Sequence, residues 1–136
     1  AGDYYRFYQK EDWATAAGHV AYSAKKDDLV LFNSNFIEIP FDYYFRPYED
    51  QYAIQIVKQG VPLDLLSDGV LEPKMTKGDI PKLEALIRGH DRVWLVYSHD
   101  SYTDPEGIIP QTLAAQKKLT STREFYGGQV QLYETP

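Results

Sequence analysis

Two short polar runs hold the residues best equipped for chemistry, Asn33-Ser34-Asn35 and Ser98-His99-Asp100-Ser101-Tyr102-Thr103-Asp104-Pro105. In the second, His99, Asp100, Asp104 and nearby Glu106 combine an imidazole with three carboxylates. Such a set can bind a hard or borderline metal ion or move protons. Its spacing matches no metal-ligand signature, and a strand end needs polar residues in any case to satisfy its backbone. Ser98 and His99 do not make a nucleophile–base pair, because neighbours on a strand point to opposite faces. No dinucleotide fingerprint, P-loop or nucleophile elbow occurs in the chain. The residues therefore assign no catalytic group and no metal site. They do suggest a ligand edge made of Asn33, Asn35, His99, Asp100 and Tyr102. Amides, a carboxylate and an imidazole suit hydroxyl groups, and an aromatic ring suits the apolar face of a sugar. The alternative role for the asparagines is to cap the helix that follows them.

Both runs follow continuous apolar stretches, and this is what would place them side by side. Leu29-Val30-Leu31-Phe32 and Val93-Trp94-Leu95-Val96-Tyr97 read as strands covered on both faces. The expectation is that they are adjacent parallel strands at the sheet centre, with their carboxyl-end loops converging. Around them the chain alternates. Asp12 reads as an N-cap for a helix whose buried stripe is Trp13, Ala16, Ala17, Val20, Ala21 and Ala24, with His19 structural at its edge and Lys25-Lys26 in the last turn. A second helix covers 36–45, with Pro40 in its first turn, and stops at Arg46-Pro47. A strand is read over 52–57, and an irregular stretch over 63–77 tucks Leu63, Leu65, Leu66, Val70 and Leu71 under the body. Asp79 caps a helix with Leu83, Leu86 and Ile87 inside and Gly89 as its stop. A short helix spans 110–119. Strands over 122–126 and 129–133 join through Gly127-Gly128, with both glycines expected at positive φ and the last strand at the sheet edge. Residues 3–10 read as a surface lead-in. The expected fold is α/β, a three-layer, Rossmann-like, mostly parallel sheet with an antiparallel C-terminal hairpin at one edge, in a single domain over 1–136.

Composition narrows the function. With 14 basic against 20 acidic residues the net charge is −6, which speaks against a nucleic-acid groove and against adhesion to anionic lipid. There is no cysteine, so disulfides, thiolate metal sites and a cysteine nucleophile are excluded. The 12 tyrosines suit a sugar- or protein-binding surface, although the larger share is expected to line the core with hydroxyls at its edge. No run approaches a membrane span. The chain starts Ala1-Gly2-Asp3 without an initiator Met and reads as a piece of a larger protein.

Several motifs together resemble a known family. They are Tyr4-Tyr5, Lys10-Glu11-Asp12-Trp13 followed by Ala16-Ala17, Asp28-Leu29-Val30-Leu31-Phe32-Asn33, Phe41-Asp42-Tyr43-Tyr44, and Arg92 through His99. The resemblance is to the tail that follows the membrane helices of bacterial, cyanobacterial-type glycosyltransferases. These belong to the superfamily of dolichyl-phosphate-mannose protein mannosyltransferases and aminoarabinose transferases. It implies a polytopic membrane enzyme using a polyprenyl-phosphate-linked sugar, with this part on the non-cytoplasmic, periplasmic side of a bacterial plasma membrane. It implies no catalytic residue here, because the family's acidic residues lie in a loop between early membrane helices. The implied partners are the parent's own membrane domain and a lipid-linked sugar or glycan acceptor, without nucleic acid. No cofactor is implied for this segment. Two other readings stand beside it, a self-contained α/β hydrolase using His99 and Asp100, and a protein-interaction module with a tyrosine-rich surface.

Overall fold

A computed structural model describes residues 12–62, 74–98 and 103–136, without the side chains of Asn35 and Phe36. The lead-in over 3–10, the leucines and valine at 63, 65, 66, 70 and 71, and His99, Asp100 and Tyr102 lie outside the described residues. Among the described residues ten elements follow one another: α1 (Trp13–Ser23), β1 (Leu29–Phe32), α2 (Asn35–Tyr52), β2 (Val57–Gly60), a 3-10 turn (Lys77–Asp79), α3 (Ile80–Arg88), β3 (Arg92–Ser98), α4 (Ile108–Gln116), β4 (Lys118–Phe125) and β5 (Gly128–Glu134). The strands form one open mixed sheet in the order β2-β1-β3-β5-β4. β1 pairs in parallel with both β2 and β3, in the register Leu29 to Val93 and Phe32 to Val96. β5 runs antiparallel to β3 and to β4. The two continuous apolar strands are thus neighbours at the sheet centre, as their composition predicts.

Alternation along the strands divides the core. Val30, Phe32, Trp94, Val96, Val130 and Leu132 pack with Ala16, Ala17 and Val20 of α1 and Ile37, Phe41 and Phe45 of α2. Leu29, Leu31, Val93, Leu95 and Tyr133 point the other way, onto Leu83 and Ile87 of α3 and Ile108, Ile109 and Leu113 of α4. Every residue of β1 is buried, and burial of both faces is what a run without polar alternation requires.

Several boundaries differ from the expectation, each for a physical reason. α1 is capped by Asp12, whose carboxylate accepts the Thr15 N–H at 3.1 Å, but it ends at Ser23. Lys25 therefore lies past the helix, and its N–H bonds to Asp28 at 3.0 Å. α2 begins at Asn35 and continues through Pro47 to Tyr52. Pro47 is exposed, so the carbonyl it deprives of a partner lies on the solvent side, and buried Phe41 and Phe45 hold the helix on the sheet. β2 starts only at Val57, because residues 50–52 complete α2 and Ala53 follows at φ 53°. α4 ends at Gln116, and Lys118 and Leu119 open β4 instead. The Asp79 carboxylate accepts the Thr76 N–H at 2.8 Å, bracing the 3-10 turn ahead of α3. α3 stops at Gly89 with right-handed backbone, φ −77°. β5 is interior, between β3 and β4, so β4 is the edge strand on the hairpin side. Of the hairpin glycines only Gly127 has positive φ, 107°. Gly128 serves another end: a Cβ there would stand 2.1 Å from the Tyr97 carbonyl oxygen. Among the described residues the tyrosines are mostly outside, with Tyr22, Tyr43, Tyr44, Tyr48, Tyr52 and Tyr126 exposed and Tyr133 buried.

Candidate functional site: the carboxyl edge of β1 and β3

The chain leaves β1 for β2 on one side and returns to β3 on the other, so the direction of winding reverses between β1 and β3. In open α/β sheets a crevice forms at the carboxyl ends of such a strand pair, and ligands bind there. This is where the loops carrying the candidate residues emerge.

Asn33 stands directly after β1 and is fully buried. Its amide donates to the Ser98 carbonyl at 3.1 Å and accepts the Ser98 N–H at 3.0 Å. The side chain thereby extends the ladder between two parallel strands by one step beyond their backbones. Neither partner could be left unpaired in a buried place without cost. Asn33 and Ser98, 65 residues apart, hold the floor of the edge together. Asn35 is the first residue of α2, which puts it at the helix start that follows this floor.

The loop after β3 is tied down at its far end. Asp104 is buried, and its two carboxylate oxygens accept the N–H groups of Ile108 and Ile109 at 2.7 and 2.9 Å. A carboxylate at a helix N-terminus meets both free donors and the positive end of the dipole. Asp104 is thus a cap for α4, and Glu106 is exposed beside it. The Tyr97 hydroxyl donates to the Asp104 carbonyl at 3.1 Å, and burial, with Asp104's charge nearby, pushes its pKa up. Among the described residues no group of three His, Cys, Asp or Glu side chains comes together as a metal site.

The opposite end of the same strand pair is ionic. Asp28, nearly buried, receives the Arg92 Nε at 3.1 Å, the Trp94 indole N–H at 2.9 Å and the Lys25 N–H at 3.0 Å. Arg92 also donates to Glu134 at 2.6 Å and to the Ser23 carbonyl at 2.8 Å. His19 sits edge-on to Trp94, centroids 5.8 Å apart, with Nε2 buried and unbonded. Burial lowers its pKa, and Arg123 adds to the shift.

Among the described residues, two concavities elsewhere involve α2. One, of about 750 Å³, runs between α1 and the end of α2, lined by Gly18, Tyr22, Lys25, Lys26, Tyr48 and Tyr52 among others. The second, of about 790 Å³, lies along α2 between Glu38 and Asp50. The sequence reading did not single out the first, having expected the larger share of the tyrosines to line the core with hydroxyls at its edge. The signal that could have found it is the positions of Tyr48 and Tyr52, four apart near the end of a helix and off its buried stripe.

Compared with protein families, curated proteins and solved structures, the chain matches none.

Proposed function

We propose that this chain is the accessory domain of a polytopic membrane glycosyltransferase that uses a polyprenyl-phosphate-linked sugar. On this reading it sits on the periplasmic side and helps to bind acceptor or donor, while the chemistry belongs to the membrane domain of the parent. The finer fold goes with it: a three-layer, Rossmann-like arrangement with helices on both faces of the sheet. The observation that carries the reading is how the motifs of the resemblance meet. Asp28 bonds Arg92 and Trp94, Asn33 bonds Ser98, and Phe41 packs edge-on against Phe32 at 5.1 Å. They form one buried unit beneath the carboxyl edge of β1 and β3. The ligand edge would be completed by Asn35, His99, Asp100 and Tyr102, with the sugar-phosphate head group or the acceptor resting on it.

The test is sugar transfer from a polyprenyl-phosphate-linked hexose. The isolated chain should transfer nothing. In the full-length enzyme, Asp100→Ala and Tyr102→Ala should each lower transfer by about tenfold, with the domain's Tm unchanged. Transfer by the isolated chain, or full activity in both variants at normal expression, would overturn the reading.

A further inference from the structure

The groove between α1 and α2 combines aromatic rings with lysines on an acidic molecule. Three tyrosines line it. Tyr22 is 92% exposed, Tyr52 64%, and Tyr48 lies partly covered with its hydroxyl over Gly18. At Gly18 an added Cβ would stand 3.5 Å from the Tyr48 Oη, so the absent side chain leaves the helix surface open to that hydroxyl. Ala21, Ala24 and Ile54 form an apolar base, and the Gln55 amide sits at the rim. Exposed aromatic rings carry a hydration cost with no packing in return, which marks a surface that something covers.

Charge says what covers it. The described lining holds Lys25 and Lys26 and no Asp or Glu, in a chain of net charge −6. Among the described residues no ion pair holds the Lys26 ammonium. The second concavity is the counter-example, since Glu38, Asp42 and Asp50 line it with only Arg46 against them. The first would attract an anion and the second would repel one.

We infer that the α1–α2 groove is a binding site for a sugar phosphate. The C–H groups of a pyranose ring rest on the negative faces of Tyr22 and Tyr52. Its hydroxyls bond with the Tyr48 hydroxyl and the Gln55 amide, and Lys26, with Lys25 beside it, faces the phosphoryl oxygens. A volume of about 750 Å³ lies in the range of small-molecule sites. The inference rests on the groove's own residues and goes beyond the carboxyl-edge reading, so either can fail alone.

The experiment is a titration of the 136-residue chain with an aldohexose 1-phosphate, followed by amide chemical shifts, beside the neutral hexose and inorganic phosphate. Saturable shifts should centre on Gly18, Tyr22, Lys26, Tyr52 and Gln55. Tyr22→Ala and Tyr52→Ala should each weaken binding at least about fivefold, Lys26→Glu about tenfold, and all three side chains are exposed enough that folding should survive. Shifts centred instead on Asn33, Ser34 and Ser98 would overturn the groove and favour the carboxyl edge. Equal binding of phosphate alone, equal binding of the neutral hexose, or no saturable shift with any probe would overturn the inference as well.

Discussion

The two ends of the β1–β3 pair are closed by the same device in different chemistry. At the amino end a charged side chain just before β1, Asp28, reaches across to Arg92 and Trp94 of β3. At the carboxyl end a neutral one just after β1, Asn33, reaches across to the Ser98 backbone. The amino end is ramified, drawing in Glu134 of β5 and the end of α1 through Arg92. At the carboxyl end the bonds described between the two strands' ends are the two that the Asn33 amide makes with Ser98. An ionic hub couples several elements, and its loss strands several donors at once. The amide clip joins the two strands through backbone groups. In this fold the ionic hub lies at the end remote from the candidate edge.

Truncating the amino end should cost most. Trp94→Ala removes a buried ring and a donor to Asp28, and should cost about 3–5 kcal/mol in chemical denaturation. A loss below about 1 kcal/mol would mean the ring is not core. Asp28→Ala leaves the Arg92 guanidinium and the Trp94 N–H without their acceptor. Because Arg92 still keeps Glu134 and some solvent, a loss of about 3 kcal/mol is expected. Asn33→Ala should cost less, about 2 kcal/mol, for two unpaired backbone groups. If Asn33→Ala proved costlier than Asp28→Ala, the comparison between the ends would be inverted.

The smallest effect is pH-dependent and belongs to the amino end through His19 on Trp94. Its folded pKa lies below the ordinary 6.5, so the unfolded chain takes up the proton more readily. The stability tied to neutral His19 is therefore complete above pH 6.5 and falls as the pH drops through and below that value. Denaturation midpoints at pH 7.5 and 5.5 should differ less in His19→Phe than in the native sequence. An equal difference in both would remove His19 from the account.

How much of this was legible depended on whether a residue's role is local. Leu29–Phe32 and Val93–Tyr97 announce themselves because burial of both faces leaves no room for polar residues, and Asp12 because its partner is three residues away. β2 was hard to place because an edge strand reading Val-Lys-Gln-Gly has no apolar run. Pro47 looked like a helix end, since local rules cannot see that it falls on the exposed side of a helix held down by Phe41 and Phe45. For the site, the sequence brought Asn33 and the loop after β3 to one edge. It could not show that the Asn33 amide is engaged there with Ser98, or that Asp104 is taken up as a helix cap. Both depend on where other elements settle.

Gly128 carries a last consequence, in the language of sequence drift. Because the Tyr97 carbonyl occupies the space where any side chain would begin, the position admits one amino acid while the sheet keeps its present pairing. In a saturation library selected for folded protein, codon 128 should keep a single meaning. The codons for exposed Tyr126 and Glu124, on the same hairpin, should wander freely.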